Sequence, residues 1–230
     1  MSTYAWVNLL SVLFPLIFSF HPRTRFHREW KAAAVGIVAM MGLFIPWDMF
    51  FTANGVWRFN EQHVWDTKLL GLPLEEWGFF ICIPYCCLFT YHCLNLQVKR
   101  DMLGPHARSI SIALGALLIG IGLLNLDRAY TSTTLLLCAA FMLFVALVMK
   151  PLWLGRFYFA YLVLLIPFII VNGILTGTGV AEEVVWYNGA ENLGIRILTI
   201  PIEDTTYGLL MQLMAVTFFE MVRTRKASTA

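Results

Sequence analysis

The chain has 230 residues, of which 59% are hydrophobic and only 13% are charged, and its mean hydropathy is +0.72. Globular domains carry roughly a quarter charged residues, so this composition indicates a membrane protein. The apolar residues form long runs instead of alternating, which excludes a transmembrane β-barrel. A net charge of only +2 gives no support to a nucleic-acid partner.

Seven apolar segments are long enough to cross a bilayer, for which a helix needs about 20 residues. In chain order they are 4–20, 33–53, 74–96, 109–126, 132–149, 157–175 and 200–222. The first segment has no basic residue before it and several after it, which is wrong for a cleavable signal peptide and typical of a first span with its N-terminus outside. The predicted fold class is therefore an all-α integral membrane protein with seven transmembrane helices.

The basic residues predict how these segments are oriented. Twelve of the 16 Lys and Arg residues lie in the loops after segments one, three and five and in a C-terminal tail that holds Arg223, Arg225 and Lys226. The opposite side has only Arg58, Lys68, Arg128 and Arg196. By the positive-inside rule the N-terminus is outside and the C-terminus is cytoplasmic. We expect a multi-pass protein of the cell inner membrane, with the lipid bilayer as a partner.

The two ends of the chain contain similar stretches. "WDTKLLGLPLEE" (65–76) aligns without gaps to "LGIRILTIPIED" (193–204), and upstream "DMFFTANGV" (48–56) pairs with "NGILTGTGV" (172–180). Segments one to three therefore repeat as segments five to seven in the same orientation, with segment four as the linker. The predicted units of this 3+1+3 parallel repeat are residues 1–96, 97–131 and 132–230.

Each repeat carries two adjacent carboxylates at the start of an apolar segment, separated by one residue from a preceding proline, which is a common residue in the first turn of a helix. They are Glu75 and Glu76 in the first copy and Glu203 and Asp204 in the second. Acids in a first turn can simply complement the helix dipole and face interfacial water. Two matching copies favour a function instead, because carboxylates that enter a membrane are costly. We predict that all four are catalytic.

Asp48, inside "IPWDMFF", is a fifth candidate acid. It either reaches the interface at the end of the second segment or is a buried acid, and both readings stay open. Its counterpart is Asn172, so the two halves are unequal. Aromatic residues crowd the same face; an interfacial belt explains most of them, but a subset could stabilise a cation. The candidate substrate-binding residues are Trp47, Trp57, Trp77, Phe80, Asn172, Trp186 and Tyr207.

The duplicated P-x-E-[ED] motif, the block "WDMFFTANGVWRF" (47–59) and the 3+1+3 layout resemble lycopene cyclases of the heterodimeric type, with both halves fused in one chain. The resemblance covers nearly the whole chain. Fungal members also carry a phytoene synthase, which is not expected here because the sequence ends at residue 230. In one departure, Thr205 and Thr206 replace the aromatic that follows the first motif, Trp77, which questions equal roles for the halves.

The resemblance implies a reaction. A carboxylic acid protonates the terminal double bond of lycopene or a related acyclic carotenoid, the next double bond attacks the cation to close a six-membered ring, and loss of a proton gives the ring alkene. The expected ring is β-ionone, giving γ-carotene and then β-carotene. No net redox change occurs, so no cofactor or metal is expected. Glu75 and Glu203 are implied to belong to the site, with Glu76 and Asp204 beside them; which is acid and which is base stays open.

Both acidic motifs are predicted to lie at the same face of the membrane, the outer one. A C40 polyene is about as long as the hydrocarbon core is thick, roughly 30 Å, so an upright substrate cannot present both ends there together. We hypothesise one composite site between the halves, with release and re-entry for the second ring. Other carotenoid-pathway enzymes are candidate contacts. The alternatives are a transporter with a 3+1+3 repeat and proton-relay carboxylates, or another enzyme of carotenoid end groups, such as a hydratase.

Overall fold

The computed structural model describes residues 1–228 and the side chains of residues up to 224. Its helices are α1 (Thr3–Phe18), α2 (Trp30–Ala53), α3 (Leu74–Gln97), α4 (Ala107–Leu124), α5 (Ala129–Phe144), α6 (Leu154–Leu175) and α7 (Ile202–Ser228). Each overlaps one of the seven predicted segments, so the all-helical class is confirmed. The side chains of Arg225 and Lys226 in the predicted basic tail, and residues 229–230 of the predicted second repeat, lie outside the described part.

Six of these helices, α2 to α7, are long and apolar enough to cross a membrane. α1 is also apolar but has 16 residues. At 1.5 Å per residue it is about 24 Å long, short of a hydrocarbon core of about 30 Å. Many large apolar side chains, among them Phe14, Ile166 and Leu117, point outward from the bundle. The chain is therefore an integral membrane protein.

α2 and α7 pack against each other along the centre of the bundle, while α1 packs on α3 and α4 on α5. Gly36 makes the α2–α7 contact close, because a Cβ atom at this position would lie 2.5 Å from the carbonyl oxygen of Ala215. α3 contacts both central helices. This packing brings together the helices that carry Asp48, the first acidic pair and the second acidic pair.

The α2–α3 and α6–α7 connections have the same order of elements, a three-residue strand followed by a tight hairpin. The strands are β1 (Trp57–Phe59), β2 (Lys68–Leu69) and β3 (Leu72–Pro73) in the first connection, and β4 (Val185–Tyr187), β5 (Arg196–Ile197) and β6 (Ile200–Pro201) in the second. β1 pairs with β4 in antiparallel orientation, and β2–β3 and β5–β6 form the hairpins. Sequence analysis did not anticipate these strands, which are too short for an alternating pattern to stand out.

The hairpins set the starts of α3 and α7. In the first hairpin Leu70 and Gly71 both have positive φ, +53° and +85°, as a two-residue type I′ turn requires. In the second only Leu198 has positive φ, +59°. Each hairpin ends on a proline, Pro73 or Pro201, and the helix starts at the next residue, as the sequence predicts. The acidic pairs thus lie in the first turns of α3 and α7, at what we call the acid end of the bundle.

The close α2–α7 contact predicts opposite effects of alanine at two glycines of α2. Gly36→Ala should lower the free energy of unfolding by about 1–3 kcal/mol, because the added methyl group pushes the two backbones apart. Gly42→Ala should be neutral or stabilising, because a Cβ there has nothing within 4 Å. Thermal unfolding of the purified protein in detergent checks both. Equal stabilities of the two variants would contradict the close contact.

Candidate active site

A cavity of about 320 Å³ lies at the acid end, between the helices and beneath the β1–β4 ribbon. Its volume is at the lower end of the range for ligand pockets, about 300–1,000 Å³. Three carboxyl side chains line it: Asp48 from α2, Glu76 from α3 and Asp204 from α7. They are only 2%, 7% and 5% exposed. One cavity therefore collects acids from both ends of the sequence.

Asp48 is buried, and of its two sequence-based readings this is the one that the structure supports. The indole Nε1 of Trp57, which lies in β1, donates a hydrogen bond of 2.6 Å to Asp48 Oδ1. Thr52 Oγ1 lies at 3.5 Å from the same oxygen, which makes at most a weak bond. The other oxygen, Oδ2, is buried and has no hydrogen-bond partner among the described residues. Asp48 thus keeps one carboxyl oxygen uncommitted.

Tyrosine hydroxyls satisfy the other two carboxyls on the cavity. Tyr4 in α1 donates to Glu76 Oε2 at 2.5 Å. Tyr130 in α5 donates to Asp204 Oδ1, and Tyr187 in β4 donates to Asp204 Oδ2 at 3.1 Å. Burial, and next the neighbouring Asp204 carboxyl, raise the pKa of Tyr187 well above that of an ordinary tyrosine. Its hydroxyl therefore stays protonated and available as a donor.

Glu75 and Glu203, the first acid of each pair, are 3% and 1% exposed but do not line the cavity. Glu75 Oε1 accepts hydrogen bonds from Ser2 Oγ at 2.5 Å and from the backbone N–H of Trp65 at 2.7 Å. Neighbouring residues on a helix point about 100° apart, so the two acids of a pair face different surroundings. Glu75 ties the α2–α3 connection and the start of α1 to the first turn of α3.

Glu203 makes the corresponding contacts in the other connection. Its Oε1 accepts from Thr131 Oγ1 at 2.6 Å and from the backbone N–H of Leu193 at 2.7 Å. Thr131 lies in the first turn of α5, and Leu193 precedes the second hairpin. These two glutamates therefore hold the loops and helix starts around the cavity, whereas the second acid of each pair lies on the cavity itself.

The predicted substrate-binding residues also divide into those that line the cavity and those that do not. Trp57, Asn172 and Tyr207 line the cavity. The other four lie outside its lining. Trp47 and Phe80 pack in the core around Phe44. The indole N–H of Trp77 donates to the Leu69 carbonyl, and the Arg58 guanidinium lies over the ring of Trp186. The ring of Trp47 nevertheless lies 5.2 Å from that of Tyr207, centroid to centroid, so Trp47 supports a residue of the cavity wall.

Sequence reasoning missed the tyrosines that bind the acids. Tyr4 and Tyr130 are almost fully buried, at 2% exposure or less. The sequence does contain a signal, because each lies in the first turn of a helix and is followed five and six residues later by a Leu-Leu pair. Extending the repeat alignment to the starts of the first and fifth segments would have matched these two residues.

The fold and the cavity define a helical membrane protein with a buried carboxyl site, and comparisons with known proteins make this more specific. The family model described as lycopene cyclase matches residues 1–94 and 127–222. The chain therefore belongs to the lycopene cyclase family. The unmatched stretch between the two segments includes α4.

Individual relatives agree with this assignment. Proteins named lycopene beta-cyclase from two strains of Halobacterium salinarum are each 28% identical over 184 residues, which cover 77% of this chain and 76% of theirs. A bifunctional lycopene cyclase/phytoene synthase of Neurospora crassa is 27% identical over 66 residues, 29% of this chain and 11% of that protein. No solved structure matches the chain. These matches favour an enzyme and give no support to the transporter alternative.

The anchoring role of Glu203 predicts different effects at two threonines of α5. Thr131→Val removes a hydroxyl that donates to the buried carboxyl, so the free energy of unfolding should fall by about 1–3 kcal/mol. Thr133→Val is the matched control, because the Thr133 hydroxyl donates only to the Ala129 carbonyl of its own helix; it should change stability by less than about 0.5 kcal/mol. Thermal unfolding in detergent measures both. A Thr131→Val variant as stable as the control would contradict the anchor.

Proposed function

We propose that this protein closes the linear ends of lycopene, or of a related acyclic carotenoid, into rings. The ring is β-ionone, so γ-carotene forms first and β-carotene second. The observation that carries the proposal is the cluster of Asp48, Glu76 and Asp204 on one cavity whose other walls are mainly apolar and aromatic. Ring closure needs a proton donor, a surface that tolerates a carbocation and a proton acceptor, and such a cavity supplies all three. The names of the Halobacterium relatives support the same substrate.

The acid cluster is suited to retain a proton. None of the ion pairs in the described chain involves these three carboxyls. Like charges close together in apolar surroundings disfavour simultaneous ionisation, so a cluster of this kind shares protons among its members. A membrane position favours neutral acids, whereas a helix start favours anions, and a cluster that shares protons can satisfy both.

We assign Asp48 as the proton donor and Asp204 as the acceptor. Asp204 accepts from two tyrosine hydroxyls, and donors of this kind stabilise a carboxylate. Asp48 has one strong donor, Trp57, and a second oxygen that is buried without a partner. Burying an unpaired anionic oxygen costs much more than burying a neutral hydroxyl, which favours the protonated form of Asp48. Glu76 accepts from one tyrosine, whereas Asp204 accepts from two, and it is the third member of the cluster.

The steps balance without an oxidant or reductant. The Asp48 proton adds to the terminal double bond, the next double bond supplies the electron pair of the new ring bond, and Asp204 takes a proton from the cyclised cation. This proton then returns to Asp48 within the shared cluster, which restores the donor for the next ring. The product is an isomer of the substrate. Aromatic faces attract cations, and the ring of Tyr207 lies within 6.3 Å of those of Trp57 and Tyr130, centroid to centroid. Tyr207 also lines the same cavity as all three carboxyls. We assign these rings to stabilisation of the cation.

We further propose that α1 spans the membrane with the other six helices and that the chain is a 3+1+3 parallel repeat with the acid end outside. The matching connections and the matching contacts of Glu75 and Glu203 support the repeat. Tyr130 and Thr131 bind the acids of α7, so we place the start of the second unit at Ala129, where α5 begins, and not at 132. A single composite cavity cyclises one end of the substrate at a time.

Expression in a lycopene-accumulating bacterium tests this function. The unmodified chain should convert lycopene to cyclised pigment, with the monocyclic product appearing before the dicyclic one. Asp48→Asn, Glu76→Gln and Asp204→Asn should each lower the rate by about 10²–10⁴-fold, the usual contribution of a general acid or base. Glu75→Gln and Glu203→Gln should lose less, because the amide oxygen of glutamine can still accept from the backbone N–H groups of Trp65 and Leu193.

The result depends on folded protein, so the amount of each variant in the membrane is measured alongside the pigments. An unchanged lycopene profile with the unmodified chain folded in the membrane would overturn the proposed function. A loss in Glu75→Gln as large as in Glu76→Gln, at equal stability, would contradict the division between cavity acids and anchoring acids.

A further inference from the structure

The cavity extends well beyond its carboxyl groups. On α3 its lining runs from Glu76 to Thr90, and on α6 from Leu175 back to Tyr161. Fourteen helical steps of 1.5 Å give each wall a length of about 21 Å along the bundle. All three carboxyls lie at one end of this length. We call the remainder, lined by Ser11, Pro15, Ile83, Cys86, Thr90 and Leu164 among others, the tail arm.

The tail arm is suited to a hydrocarbon chain. The Cys86 thiol donates to the Ser11 carbonyl at 3.2 Å, and the Thr90 hydroxyl donates to the Cys86 carbonyl at 2.9 Å. Because these polar hydrogens are used within the protein, Cys86 and Thr90 offer mainly carbon and sulfur surface to the cavity. Pro15, Ile83 and Leu164 contribute only apolar side chains. Most of this surface is therefore apolar, as a long hydrocarbon ligand requires. Gln212 of α7 also lines the cavity and is a polar exception, because its Oε1 is buried without a hydrogen-bond partner among the described residues.

One wall of the cavity also reaches the outside of the bundle. Pro167 and Ile170 of α6 line the cavity and are exposed, Ile170 by 61%. α6 is among the helices able to span a membrane, so its exposed apolar face contacts lipid tails. Ile166, one helical turn away, is similarly exposed, at 67%, but does not line the cavity. The contact between cavity and bilayer is therefore local, at Pro167 and Ile170.

We propose that the tail arm holds the polyene tail of the carotenoid and that Pro167 and Ile170 form one edge of a lateral entrance from the bilayer. This inference rests on the proposed function and deepens it. A polyene dissolved in the membrane then reaches the acids without crossing water. The whole cavity wall, carboxyl end included, is about 21 Å long and therefore shorter than a C40 polyene of about 30 Å. One end group therefore reaches the carboxyls while the other remains in the lipid, which explains how a single site can treat the two ends in turn.

A binding measurement with a matched pair of variants tests the entrance. In an Asp48→Asn background, which removes the assigned proton donor, the protein is purified from lycopene-accumulating membranes, and bound polyene is measured by absorbance per mole of protein. Adding Ile170→Trp should lower the bound polyene about tenfold or more, because the indole fills the lateral entrance. Adding Ile166→Trp, the same change one turn away, should leave it within about twofold.

Two further readouts separate the possible failures. Ile170→Ala should keep polyene binding. The unfolding temperatures of all variants, measured on protein made in cells without lycopene, should agree, which excludes misfolding as the cause of a loss. Equal amounts of bound polyene in the two tryptophan variants, or no bound polyene in the Asp48→Asn protein itself, would overturn the proposal that the tail arm binds polyene through this entrance. If the unmodified chain bound polyene with this dependence on Ile170 but cyclised nothing, the proposed function would fail while the tail arm stood.

Discussion

The structure depends on one costly arrangement, the burial of Asp48, Glu76 and Asp204 in an apolar bundle, where none of the three has an ion-pair partner among the described residues. Membrane interiors make such groups expensive, so each needs a donor or a proton. The donors come from the parts that meet at the acid end. Tyrosines at the starts of α1 and α5 and an indole and a hydroxyl from the β1–β4 ribbon contact the acids. The hairpins, the helix starts and the ribbon position these donors.

Two kinds of acid serve this arrangement. Glu75 and Glu203 hold backbone N–H groups of the two connections, and Glu76 and Asp204, one position along, line the cavity. The halves contribute unequally at a third point, because Asp48 has Asn172 as its counterpart in the sequence alignment. In the proposed reaction this inequality assigns different roles to the halves, since the first supplies the proton donor and the second the acceptor. A symmetric pair of sites would instead have needed a complete set of groups in each half.

Much of this could be predicted from the sequence because it depends on local patterns. Apolar length located all seven helices, and the repeated proline and acids located the starts of α3 and α7. The sequence could not decide which acid of each pair lines the cavity, since neighbouring side chains diverge by about 100° and tertiary packing sets the direction. Tyr4 and Tyr130 escaped notice because their partners are more than seventy residues away. The burial of Asp48 likewise depends on an indole in a strand too short to predict.

The central claim is that the buried cluster holds a proton at neutral pH. Infrared spectroscopy of the purified protein tests it directly, through the C=O stretch of a protonated carboxyl, which differs from the bands of carboxylates. We expect such a band at neutral pH, resistant to exchange with D₂O because the group is buried, and lost in Asp48→Asn but retained in Glu75→Gln. A spectrum with only ionised carboxylates at neutral pH would contradict the account.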